Sequence, residues 1–419
     1  MFAPLRSYWL ALPLASRVAV LVWIVLIGGI GGRVIFSKPT SQTVLPIYLT
    51  AGQRWITGDD LYAPIPGQDA YRNPPGVAAG FATLTPLPVK TAGLLWRALG
   101  AGVFLAGLFR LRRDLAPDLT PLSSAVLFML AAGLVLPALN NGQVNLLLAG
   151  SILHGSSAAL RGRYWEAALW FGLGGWLKVY PLAVGLLVAL VHPIRFAPKL
   201  VVVIVIGILV PFLFQDPQYV LDQYRSYLEY LGADDRTYAT LYRVPRDWTV
   251  IPRVWLNVTV PPSVTKGVDL SVAFLAAGVV GWTALTTKDR RVIVGRALVL
   301  GSVWMTVFGP ATEANTYVIL AGPAAWVAVA ATGRAKWFAG AGVTLLLMTI
   351  VRGLFPQDWQ FQILGPQALG AILVGFAGMA IGTTLQAPAI TEFSTRWIGL
   401  RRTRTTAAIS REIVEVSEL

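Results

Sequence analysis

The chain has 419 residues, 55% of them hydrophobic and only 13% charged, where a soluble protein carries about 25% charged residues. The formal net charge of +14 falls in short basic clusters between apolar runs, which argues against a nucleic-acid-binding surface. With no cysteine and only two histidines, His154 and His192, disulfides and thiolate-held metals are excluded, a histidine-rich metal site is disfavoured, and no cofactor is expected.

A bilayer core of about 30 Å takes about 20 residues of helix, and apolar stretches of that order recur from residue 16 to residue 385. The first, 16–36, runs into Ser-Lys-Pro-Thr without a small-x-small cleavage site, and is read as a retained helix rather than a signal peptide. Loop 37–75 follows. Within 41–57, Val44, Tyr48, Ala51 and Trp55 recur at helical spacing and predict an interfacial helix. Residues 75–110 read as one crossing or as a hairpin turning at Pro88 and Lys90. Spans are predicted at 121–139, 143–159, 164–177, 180–192 and 199–214. Loop 215–266 carries a second interfacial helix at 218–231, with Val220, Leu221, Tyr224, Tyr227, Leu228 and Leu231 on one stripe. Spans at 267–286, 294–309, 316–332, 336–353 and 367–385 complete an all-α, polytopic domain over 1–385. The expected crossing number is about 12, within 11–13, and 386–419 is a basic, then acidic, tail. No independent soluble domain and no internal repeat is visible.

The basic clusters set the orientation. Arg110, Arg112 and Arg113, then Arg161 and Arg163, then His192, Arg195 and Lys199 fall on one side of alternating crossings. Lys288, Arg290, Arg291 and Arg296, then Arg334 and Lys336, and finally Arg396, Arg401, Arg402 and Arg404 fall there too. The positive-inside rule makes that side cytoplasmic, so both long loops face outward.

Polar residues concentrate at the outward ends. The run "NNGQVN" places Asn140, Asn141, Gln143 and Asn145 between two apolar stretches, where amides either bind ligand hydroxyls or serve as helix caps and interhelical bonds. In "GGWLKVYPLAVG", Lys178 lies at a helix end, followed by Tyr180 and Pro181. A cation at that depth either pairs with an anion such as a lipid-linked phosphate or snorkels to the interface. "GDDLYAPIPGQDAYRNPPG" is an irregular loop offering Asp59, Asp60 and Asp69 as carboxylates and Arg72 and Asn73 as anion or hydroxyl ligands. For any single aspartate there, the plain alternative is a solvated loop residue. "GPATEANTY" holds Glu313 and Asn315 in a short outer turn, where the carboxylate is read as a ligand for substrate hydroxyls rather than a solvated group.

In this order, "IYLTAGQRWITGDDLY" with "YRNPPG", "NNGQVNLLLAG", "LKVYPLAVG" and "GPATEANTYVILAGP" resemble glycosyltransferase family 87, over about residues 16–385. The resemblance implies a GT-C fold like that of the polyprenol-phosphate-mannose-dependent mannosyltransferases. It implies a polyprenyl-phosphate-linked sugar donor, with mannose the first choice of hexose, and transfer with inversion to a lipid or glycan acceptor hydroxyl. The reaction would lie on the outer face of the plasma or inner membrane, among membrane lipids and without nucleic acid. The family pattern places an acidic residue four before the tyrosine matched by Tyr48, and this chain has Val44 there, which accepts no proton. The base is then sought among Asp69, Asp60 and Asp59, with Asp69 first because it adjoins Tyr71, Arg72 and Asn73. A transporter or flippase for a lipid-linked sugar or polar solute is the other reading, along with a catalytically inactive relative.

Overall fold

The computed structural model describes residues 12–37, 43–179, 182–233, 236–240, 245–309, 312–351, 354–356, 359 and 364–381. The 386–419 tail and Tyr180 lie outside the described residues. All regular elements described are helical. Composition explains this, because an apolar chain in hydrocarbon must satisfy each backbone N–H and C=O within its own segment.

In chain order the helices are α1 (Leu14–Phe36), α2 (Leu45–Thr57), α3 (Pro75–Ala82), α4 (Val89–Leu115), α5 (Pro121–Asn141), α6 (Asn145–Leu160), α7 (Tyr164–Leu177) and α8 (Leu182–Val191). There follow α9 (Ala197–Leu209), α10 (Pro217–Ala233), α11 (Val250–Trp255), α12 (Pro262–Thr286) and α13 (Arg290–Val303). A π-turn, Trp304–Phe308, ends α13, and a 3-10 segment, Ala314–Leu320, leads into α14 (Ala321–Ala330). The last two are α15 (Ala335–Val351) and α16 (Leu364–Ala380). Among the described residues, five segments are long and apolar enough to cross a membrane: α1, α4, α5, α12 and Arg290–Phe308. The remaining apolar helices are shorter, so length alone does not yield the expected crossing number.

The 75–110 segment resolves into one long helix preceded by a short one. Pro88 is the N-cap of α4, and α3 has 8 residues, about 12 Å of rise, too short to cross. Lys90 Nζ donates to Ile35 O at 2.5 Å, so α4 starts where α1 ends and the two run antiparallel.

Helix α6 is the centre of the bundle: every residue from Asn145 to Ala159 is buried. Small residues make that possible. A Cβ on Gly150 would come within 2.8 Å of the Phe104 backbone, so α4 and α6 touch main chain to main chain. On the periphery, Leu14, Val25, Val201, Leu209, Phe274 and Leu275 are exposed, as hydrocarbon-facing side chains should be.

Short turns make successive helices antiparallel and give the bundle two unlike ends. At one end Arg110 pairs with Glu166, Arg113 and Arg161 pair with Asp114, and Arg291 reaches Asp118 at 3.6 Å. The other end carries the two long loops, each with its predicted helix, α2 and α10. On α10 only Val220, Gln223 and Tyr227 are buried. Leu221, Leu228 and Leu231 of the predicted stripe are exposed, because the polar Gln223 takes the inner position: its Oε1 accepts from Leu61 N at 2.9 Å and ties the loops together.

Candidate functional site

The loop end converges on Glu313. The residue follows the π-turn and Gly309, whose Cα packs so close to Met305 O that a Cβ would come within 2.5 Å. Glu313 N donates to Thr316 Oγ1 at 3.1 Å, which starts the 3-10 segment. The second loop braces the turn from outside: Arg246 N donates to Thr312 O at 2.7 Å, Trp248 N to Val307 O at 2.9 Å, and Tyr317 Oη to Arg246 O at 2.6 Å.

Four elements bring polar groups to this carboxylate. From the α5–α6 turn, Gln143 Nε2 donates to Glu313 Oε2 at 2.9 Å, and Asn145 Nδ2 donates to Gln143 Oε1 at 2.6 Å, fixing which amide end faces the acid. From the first loop Arg72 Nη1, and from the second Arg236 Nη1, each stand 3.8 Å from Glu313 Oε1. From the end of α7, Lys178 acts on it through its charge. Burial alone would raise the Glu313 carboxyl; the Lys178 charge, the Gln143 hydrogen bond, and Arg72 and Arg236 outweigh it and hold the group below its ordinary range.

Lys178 leaves α7 in an extended conformation, and Asn73, itself buried, donates from Nδ2 to Leu177 O at 2.9 Å. Asn73 thus ties the first loop to the stem of Lys178. Tyr62 Oη holds Asn73 O at 2.8 Å, and Arg72 Nε donates to Tyr230 Oη at 3.0 Å. Tyr62 packs against Tyr71, Tyr227 and Tyr230, an aromatic cluster at the junction of the two loops.

The sequence-derived candidates separate into groups. Arg72, Gln143, Lys178 and Glu313 come together, with Asn73 and Asn145 behind them. Asn140 and Asn141 contribute main-chain carbonyls to a different cluster. Asn315 lines a separate, shallow hollow with Tyr317 and Gln367. Asp59 and Asp60 are exposed and turn into their own loop: Asp59 accepts from Thr57 Oγ1 at 2.6 Å and Asp60 from Tyr62 N at 3.0 Å. Asp69 is exposed at a shallow hollow that it lines with Thr50, Arg54, Gln68 and Tyr71. Val44 packs against the core, and its N–H donates to Asn141 O at 3.1 Å. Sequence reasoning missed Arg236, which lies in an unpatterned stretch beyond α10 and gave no signal, and Arg97, which is hidden inside a predicted span.

Beside this geometry, the model of glycosyltransferase family 87 matches residues 71–310, more than half of the chain. The chain belongs to glycosyltransferase family 87. It is accordingly a membrane glycosyltransferase. The matched span begins next to Arg72, takes in Gln143, Lys178 and Arg236, and stops three residues before Glu313. No curated protein matches the chain.

Proposed function

We propose that this glycosyltransferase moves a hexose, mannose first, from a polyprenyl-phosphate donor to an acceptor hydroxyl at the outer membrane face, with inversion. The observation that carries the reading is the convergence of Lys178, Arg72 and Arg236 on one carboxylate. Two of these pairs stand at 3.8 Å, longer than a hydrogen bond, with both partners partly exposed. Such pairs contribute at most about 1 kcal/mol each to stability. They are weak fasteners, and a stronger acceptor at the same place would compete for them. A phosphate is that acceptor: its oxygens take charge-assisted hydrogen bonds from guanidinium and ammonium groups. The lipid-exposed residues at the bundle periphery suit a polyprenyl tail, and the basic opposite end suits the cytoplasm.

When a phosphate takes over the cations, Glu313 loses the charges that keep its proton affinity low. It then becomes the carboxylate best placed to deprotonate the acceptor, with Gln143 orienting it. The carboxylate takes the proton of the acceptor hydroxyl, the acceptor oxygen bonds to the anomeric carbon from the face opposite the phosphate, and the bond from that carbon to the phosphate oxygen breaks, so that polyprenyl phosphate leaves with the electron pair. Asp69, on the same loop as Arg72 and open to solvent, is the second candidate for the base.

Transfer from a polyprenyl phosphomannose, measured in parallel for Glu313→Gln and Asp69→Asn, tests this. The variant that removes the base loses about 10²-fold or more in turnover. Full activity in both moves the base to Asp59 or Asp60, and full activity in all four single carboxamide variants excludes general-base catalysis from these loops. Donor binding without transfer by the native chain would favour the transporter or the inactive relative.

A further inference from the structure

Gln143 reaches Glu313 from a turn whose main chain is clamped by three other segments. Arg97 Nε donates to Leu139 O at 3.0 Å. Asn140 O accepts from Arg97 Nη2 at 2.9 Å and from Arg33 Nη2 at 3.0 Å. Asn141 O accepts from Thr43 Oγ1 at 2.7 Å and from Val44 N at 3.1 Å, and Gly142 O accepts from Trp96 Nε1 at 2.8 Å. Arg97 Nη2 further donates to Thr43 Oγ1 at 3.0 Å, joining the donors to one another.

A helix end leaves four carbonyls without intrahelical partners, and a left-handed glycine is the usual way to finish it. Gly142, at φ 74°, does that here, with its N–H on Ala138 O. That satisfies one carbonyl of the four; Leu139 O, Asn140 O and Asn141 O take donors from outside the helix, two of them guanidinium groups and one of these on the buried Arg97, so the turn is fixed by α4 and α1 rather than by its own helix. Desolvating a guanidinium is costly, and the negative end of the α5 dipole offsets only part of that cost. The packing is also specific to the turn: a Cβ at Gly142 would stand 3.0 Å from Arg97 Nη2 and 3.1 Å from its Cζ. Immediately after this clamped glycine comes the side chain that touches Glu313.

We propose that Arg97 is a positioning residue, which acts through the Asn140–Gly142 turn to hold Gln143 on the Glu313 carboxylate. The role rests on Glu313 belonging to the proposed site, but the link from Arg97 to Glu313 can be read without any transfer reaction. Glu313 is faced by Gln143 from the α5–α6 turn, Lys178 from α7, Arg72 from the first loop and Arg236 from the second. Withdrawing Gln143 removes a hydrogen bond that favours the ionised acid while the three cations stay.

The test follows the carboxyl titration of Glu313 in the full-length protein by ¹³C-glutamate NMR, assigned with Glu313→Gln. Gln143→Leu should raise the Glu313 midpoint by about 0.5–1 pH unit, the equivalent of one lost hydrogen bond. Arg97→Gln should move it in the same direction, and adding it to Gln143→Leu should move it no further. Thr43→Val, which removes a link between Arg97 and Asn141 O at little cost in volume, should give a smaller shift of the same sign. It decides the matter if Arg97→Gln does not fold. The proposal is overturned if Thr43→Val and any folded Arg97→Gln leave the midpoint at its native value, or if Gln143→Leu itself does not move it. Failure of the native protein to transfer sugar would remove the proposed reaction and leave this titration to stand on its own.

Discussion

Lys178 and Glu313 show how much a single residue's role depends on its partners. A lone lysine at a helix end snorkels; Lys178 instead acts by its charge on Glu313, where two arginines also converge, and in the proposed function it belongs to the phosphate site. Lys178→Ala should weaken binding of a polyprenyl phosphate about 10–100-fold, the worth of one hydrogen bond to a charged group, while the thermal midpoint of the protein changes little. Titration of the lipid into purified variant measures it, and native affinity would return Lys178 to a snorkelling role. The pH dependence follows from the direction of the Glu313 shift. Its carboxyl lies below the ordinary 4.5 when folded, so its charge adds stability at pH values above 4.5, and that contribution is lost as the pH falls through the folded value. The thermal midpoints of the native protein and Glu313→Gln should therefore differ at neutral pH and converge only in the acid range below 4.5. A difference that persists unchanged into that range would contradict the ionised cluster.

At the scale of helices, glycine decides which pairs approach closely. A Cβ on Gly207 in α9 would lie 1.8 Å from Trp176 Nε1 in α7, whereas one on Gly28 in α1 would meet nothing within 4 Å. Gly207→Ala must push a large indole aside and should cost about 1–3 kcal/mol, seen as a lower thermal midpoint. Gly28→Ala, on an open helix face, should be neutral or stabilising by up to about 1 kcal/mol. Equal behaviour of the two variants would mean that α7 and α9 are not packed at this contact. The contact also bears on the site, because α7 ends at Leu177 and hands over to Lys178.

The whole bundle carries its charge asymmetrically. The Arg110, Arg113, Arg161 and Arg291 pairs lie at one end, and the loops with Glu313 at the other. The proposed orientation puts the first end, and the 386–419 tail with it, in the cytoplasm. Protease added outside right-side-out vesicles should leave the 401–404 segment intact and cut it once the vesicles are opened. Cleavage in sealed vesicles would invert the molecule and place the candidate site inside.

Several features were legible in the sequence because local physics sets them. Apolar run length gave the helical membrane class, the stripe at Val44, Tyr48, Ala51 and Trp55 marked α2, and the bounds predicted for 164–177 are those of helix α7, although its 14 residues fall short of a crossing length. Pro88 marked the start of α4, although only the observed lengths of α3 and α4 decided between one crossing and a hairpin. The polar motifs between apolar runs singled out Arg72, Gln143, Lys178 and Glu313, since polar residues there are costly without partners. Which of them meet was not legible, because Gln143 and Glu313 are 170 positions apart and a hydropathy pattern carries no pairing information. Asp69 looked the best-placed carboxylate from its neighbours in the chain, yet tertiary packing put Glu313 among the cations and left Asp69 at a separate hollow. Arg236 and Arg97 were invisible for the same reason. Side-chain type and spacing fix local structure, but the environment of a charge is set by whatever distant segments the fold brings around it.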